Sequence, residues 1–136
     1  MHGEQQQGLD HPPGKIDFKS PVIQGLIRGM LPWYLLSLMK EGPMHALKMI
    51  EKIADAGHGG WKPSPGSVYP ILHKLEEEGK IEGDWERSKA APRRIYALTG
   101  KGKKEATKMR HQLIEELHKA KYIIDSHISM LEQIED

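Results

Sequence analysis

Not one cysteine occurs among the 136 residues of this chain. Disulfides, thiolate catalysis and cysteine-based zinc sites are thereby excluded, and the composition suits a reducing compartment. Nor is there an apolar run of the roughly 18–20 residues that a bilayer span requires, and the opening segment is too polar for a signal peptide. A soluble, cytoplasmic protein with no membrane partner is expected. Equally missing are a nucleophile–base pair, a phosphate-binding loop, or an acidic pair at a telling spacing. The chain therefore reads as a non-enzyme without cofactors. Its length predicts one domain with a real core.

Net charge is nearly absent too, at +1, but the charges are segregated. Residues 62–110 hold twelve Lys/Arg against seven Asp/Glu, a surplus of +5. Residues 111–136 hold two against six, a deficit of −4. Residues 1–61 balance at six each. A basic middle and an acidic tail suggest a polyanion-binding centre and a C-terminal end with another task.

The stretch KPSPGSVYPILHKLEEEGKI, residues 62–81, forms the centre of the reading. Val68, Ile71, Leu72 and Leu75 have the spacing of one buried helical face, and Gly79 supplies the left-handed stop. Because Pro70 belongs in a first turn, the helix is expected to begin near Ser67 rather than Ser64. With Val68, Leu72 and Leu75 inward, Gly66, Pro70, His73 and Glu77 point outward, and Ser67, Tyr69 and Lys74 lie on the flanks. A small, hydroxylated N-terminal half allows close approach to phosphates. On this stretch alone, a DNA-recognition helix and an ordinary amphipathic helix are equally good readings.

The flanking chain decides between them. Residues 1–19 read as a disordered arm whose His2 and His11 are inert. Ser20-Pro21 starts a helix bearing Val22, Ile23, Leu26 and Ile27. Gly29 and Pro32 are expected to break it before a second, core helix from Trp33 to Lys40. Trp33 and Tyr34 are read first as core packing, with an effector pocket as the alternative. Met44–Ala56 follows as a helix with Leu47, Ile50, Ile53 and Ala54 inward. Gly57, Gly59 and Gly60 end it, and Trp61 anchors the link to the core. After Gly79 the period becomes two: Ile81, Gly83 and Trp85 take one face of a strand, and Arg93–Leu98 forms its partner. A hairpin carrying Arg87, Lys89, Arg93 and Arg94 directly after a short amphipathic helix is the wing of a winged helix, with its cations placed for phosphates.

Thr99 caps a final helix of some 35 residues. Leu113, Leu117, Ala120, Ile124, His127, Leu131 and Ile134 alternate in spacings of four and three, a heptad seam. Ile114, Ile123, Ile128 and Met130 widen it. The expected partner is a second copy related by a two-fold axis, and packing back onto the N-terminal helix is compatible with that. The fold class expected is mainly α with a small β-hairpin: an arm at 1–19, a winged helix-turn-helix domain at 20–98, and a dimerisation helix at 99–136.

This order of elements resembles the PadR family of transcriptional regulators over about residues 26–110. The matching residues are Gly42-Pro43, Gly66-Ser67-Val68-Tyr69-Pro70-Ile71-Leu72, and Leu75-Glu76-Glu77-Glu78-Gly79. Trp85, Pro92-Arg93-Arg94 with Tyr96, and Leu98-Thr99 with Gly102 continue the match. The resemblance implies a homodimeric winged-helix protein on palindromic operator DNA, usually a repressor, its interface built from the C-terminal and N-terminal helices. Two departures stand out: His45-Ala46-Leu47 replaces a His-Gly-Tyr-like sequence, and Ala91-Pro92 stands where many members have glycine.

On this reading the DNA-binding residues are Lys62, Ser64, Ser67, Tyr69, His73, Lys74, Arg87, Lys89, Arg93 and Arg94. Few outward side chains can read bases, so DNA shape should carry much of the specificity. Two rival classes remain. One is a metal-responsive switch using His111, Glu115 and His118, which share a helical face. The other is a protein-interaction module working through the long helix. A flat-drug effector stacked on that helix is disfavoured, because residues 101–121 contain no aromatic side chain.

Overall fold

The computed structural model describes residues 14–56, 61–86 and 92–136. Its elements are α1 (Pro21–Met39), β1 (Met44–His45), α2 (Ala46–Ala56), α3 (Pro65–Glu77), β2 (Ile81–Trp85), β3 (Arg94–Leu98) and α4 (Gly100–Glu132). Most of the expected arm, residues 1–13, lies outside the described residues, as do Gly57, Gly59 and Gly60.

Helix α1 corrects the expectation of two segments. It runs unbroken for 19 residues with Pro32 inside it. An interior proline costs about 3 kcal/mol. On either side of it, however, Leu31, Leu35 and Leu36 are buried, and burying each such side chain contributes roughly 1.5–3 kcal/mol. Joined in this way, the helix is long and apolar enough to cross a membrane by length and composition. In this fold its apolar side chains Leu31, Leu35, Leu36 and Met39 instead enter the core cluster.

The core gathers those residues with Met49, Ile50 and Ile53 of α2, Val68, Leu72 and Leu75 of α3, Ile81, Tyr96, and Ala106 of α4. Trp61 packs against it, as expected. Leu47, expected to face inward, is 50% exposed, and Met49 takes the buried position. The expected helix from Met44 begins only at Ala46. Met44 and His45 instead form a third strand, opposite Tyr96 and Ile95 of β3. The antiparallel sheet therefore runs β1-β3-β2. In β2 only Ile81 is fully buried; Trp85 is 58% exposed, because the strand has left the core by its end.

Helix α3 also begins earlier than expected. Ser64 is its N-cap, its Oγ accepting the Ser67 N–H at 3.2 Å, and Pro65 opens the first turn. Pro70 sits within the helix. Its missing N–H would have served the carbonyl of Gly66, an exposed residue, where solvent can take the place of the lost donor. The other end closes with the Gly79 N–H on Glu76 O at 3.0 Å and the Lys80 N–H on Leu75 O at 2.9 Å. This arrangement needs the positive φ of 74° that Gly79 adopts.

The start of α4 is locked onto that turn. Thr99 accepts from the Gly102 N–H at 3.0 Å and donates to Gly79 O at 2.7 Å, while Lys101 Nζ donates to Glu78 O at 2.7 Å. Two carbonyls at the end of α3 are thus satisfied by the next helix. Lys80 lies 3.2 Å from Glu78 and 3.3 Å from Glu105. Burial works against its charge, but hydrogen bonding and attraction from Glu78 and Glu105 outweigh it and leave its pKa raised. Helix α4 packs on α1 and then continues; at 33 residues it is about 50 Å long.

Candidate nucleic-acid interface

The interface is built outward from α3. With Val68, Leu72 and Leu75 buried, the helix exposes Gly66, Ser67, Tyr69, Pro70, His73, Lys74 and Glu77. Ser64 and Ser67 bring their hydroxyls within 3.0 Å of each other at the N-terminus, and Lys62 is exposed just before it. Tyr69 is 46% exposed. His73 does not stand alone, since its Nε2 lies 3.0 Å from Glu77 Oε1, one turn on.

The sequence-predicted wing residues divide three ways. Arg93 is exposed and approaches Glu86 to 3.8 Å. Arg94 turns inward. It donates to the Glu76 carboxylate on α3 and to Gly83 O at 3.0 Å, and it lies over the rings of Trp85 and Tyr96 at 5.6 and 5.7 Å. Arg87 and Lys89 lie outside the described residues. Tyr96 beneath this cluster has a raised pKa, chiefly from burial, with Arg94 pulling the other way.

Two surface concavities border α3, and sequence reasoning missed residues in both. One, about 470 Å³, brings Gln24 and Arg28 of α1 beside Lys62, Ser64 and Ser67. Arg28 left no local signal, because it reaches this place only through the unbroken course of α1. The other, about 200 Å³, lies between the start of α2 and the wing, lined by His45, Leu47, Tyr69, Trp85 and Arg93 among others. There His45 Nε2 and Glu86 Oε1 approach to 3.5 Å, and among the described residues neither buried atom has a hydrogen-bond partner.

The expected effector residues separate. Tyr34 lines a largely apolar cavity of about 190 Å³ with Ile27, Met30, Leu38, Ile53 and Trp61. Trp33 does not line it, although its ring stands 5.2 Å from that of Tyr34. The difference is helical phase: adjacent residues lie about 100° apart, and only Tyr34 turns toward α2 and Trp61. His111, Glu115 and His118 are all exposed on α4. Among the described residues no group of three potential ligands is arranged to hold a metal.

The seam on α4 is uncovered in the single chain. Leu113 and Ala120 are half-buried, Leu117 and Ile124 are 38% and 39% exposed, and Leu131 and Ile134 are each 62% exposed. His127 is exposed, its Nδ1 within 2.9 Å of Ile123 O. Ile134 lies beyond the helix, which ends at Glu132.

A helix-turn-helix pair, α2 and α3, with an adjoining β-wing, β2 and β3, defines a winged-helix protein. Residues 35–108, more than half of the chain, match the model of the transcriptional regulator PadR-like family, and the chain belongs to that family. It is 36% identical to the transcriptional regulator Rv3488 of Mycobacterium tuberculosis over 88 residues, covering 65% of this chain and 79% of that protein. It is 30% identical to the transcriptional regulator YqjI of Escherichia coli over 97 residues, 70% of this chain. The match spans only 45% of that relative's length. A PadR-like transcription factor from Bacteroides fragilis superposes with a TM-score of 0.59 at 26% identity, over 76% of this chain and 99% of that one. A PadR family regulator from Eggerthella lenta has the same fold, with a TM-score of 0.63 at 22% identity, over 88% and 96%.

Proposed function

We propose that this transcriptional regulator is a homodimeric, sequence-specific DNA-binding repressor. The observation that carries the reading is the exposed face of α3 beside an exposed wing arginine, on a helix whose opposite face is the core. Lys62, Ser64, Ser67, Tyr69 and Lys74 would meet the backbone and groove edge, Arg93 the flanking phosphates, with Arg87 and Lys89 added from the sequence. The uncovered seam of α4 supports a two-fold partner, and two α3 helices would then enter successive major grooves about 10 bp apart or somewhat more. For release of the DNA by a small molecule, the apolar cavity at Tyr34 and Trp61 is the supported seat.

Selection from a randomised duplex pool tests this. The expected product is an inverted repeat bound by two chains, with Leu117→Asp abolishing both dimerisation and tight binding. Recovery of no preferred sequence, or tight binding by a monomer, would overturn the reading.

A further inference from the structure

We infer that Arg94 is a positioning residue: it docks the wing onto the recognition helix and does not contact DNA. The inference rests on the DNA-binding reading above and assigns the two adjacent wing arginines opposite tasks.

Arg94 opens β3, directly across from Trp85 in the register of the hairpin. From there it reaches back across the wing to the Glu76 carboxylate of α3. The same carboxylate oxygen accepts the Gly83 N–H at 3.2 Å, and the guanidinium donates to Gly83 O at 3.0 Å. One carboxylate on the recognition helix and one guanidinium on the return strand therefore hold both polar groups of a single β2 residue. The rings of Trp85 and Tyr96 close over the cation. Gly83 is part of the arrangement, because a Cβ there would intrude on the guanidinium. The fork of an arginine suits this role, since it donates to a carboxylate and a carbonyl at once while its flat face meets aromatic rings. Its positive charge is spent inside the molecule, on a side chain 31% exposed. Arg93 lines the same concavity as Arg94 but is exposed, 3.8 Å from Glu86, and is the wing's cation for phosphate.

The consequence is geometric. The angle between wing and α3 sets whether the wing reaches the backbone while α3 lies in the groove. A broken Arg94–Glu76 link lets the wing drift and weakens DNA binding, even when the break removes a negative charge. A phosphate-contacting Arg94 would behave oppositely: deleting Glu76 would release the cation and lower repulsion, strengthening binding.

The sign of the Glu76→Gln effect is thus the test, read by fluorescence anisotropy on a duplex recovered by selection from a randomised pool. Expected is a loss of affinity, about tenfold for a well-formed charged contact. Arg94→Lys should fail to restore binding although charge is kept, and Glu76→Gln combined with Arg94→Lys should lose little beyond either alone. Gly83→Ala keeps every charge and should also weaken binding. Hydrogen exchange of the Gly83 amide supplies a readout independent of DNA: protected in the wild type, it should exchange faster in Glu76→Gln while the α1 and α2 amides stay protected. Tighter binding by Glu76→Gln, or wild-type affinity in Arg94→Lys, would overturn the inference. A wild-type protein that binds no duplex would overturn the DNA reading and this role within it. An unprotected Gly83 amide in a protein that does bind would overturn the docking alone.

Discussion

Gly102 offers the most direct test of how α4 is seated. It is buried in the first turn of that helix, and a Cβ built on it would overlap the carbonyl of Lys80 and stand 3.0 Å from Leu98 Cδ2. The overlapping oxygen belongs to the backbone of Lys80, just before β2, so no rotamer change relieves it. For Gly102→Ala, overpacking of this kind costs about 1–3 kcal/mol. Pushing α4 away also stretches the Thr99 N–H bond to Lys80 O, now 3.1 Å, worth roughly 1 kcal/mol. Against this, alanine is up to about 1 kcal/mol better than glycine in a helix. The net expectation is a destabilisation of about 2 kcal/mol, or a fall in Tm on the order of 6–10 °C for a chain of this size. Gly100, two residues earlier, has no atom within 4 Å of its would-be Cβ, so Gly100→Ala should be neutral or slightly stabilising. Urea denaturation of both variants at one fixed protein concentration makes the comparison, since the stability of the proposed dimer would depend on concentration. Equal stability of Gly102→Ala and wild type would refute the seating described here.

Three further outcomes are expected. Leu72→Ala empties a fully buried position on the core face of α3 and should cost about 2–5 kcal/mol in denaturant unfolding. Ser64→Ala removes the N-cap of α3 and should cost about 1 kcal/mol, with the added helicity loss confined to the first turn by hydrogen exchange. The third outcome concerns alkaline pH. Lys80 and Tyr96 both have raised pKa values in the fold, so their stabilisation is complete below their unfolded values of roughly 10 and is lost as pH rises through the folded ones. Unfolding free energy should therefore fall in that alkaline window, and Lys80→Met should flatten the fall.

The outward and inward faces of α3 were legible because a 3.6-residue period in Val68, Leu72 and Leu75 needs no tertiary information. The stop at Gly79, the cap at Thr99 and the hairpin were legible for similar local reasons. Three features were not. The two-residue strand β1 is too short to leave an alternation, and only the distant Tyr96 and Ile95 give it a partner. The continuity of α1 through Pro32 depends on leucines buried by other elements, which overrides a local breaker. The inward turn of Arg94 depends on Glu76, 18 residues away; in sequence it looks the same as Arg93. Composition cannot say which of two adjacent arginines a carboxylate so far away in sequence will engage.

Sequence-selective DNA binding through α3 and the wing is the function proposed for this protein. Its most direct test is fluorescence anisotropy with the protein's own upstream DNA and an unrelated duplex, repeated over a salt series. Expected are preference for the upstream duplex, affinity falling steeply with salt, and a slope in log[salt] reduced by about 0.9 for each phosphate contact removed, as by Arg93→Ala. Equal, feeble binding to both duplexes, or a slope indifferent to Arg93, would contradict it.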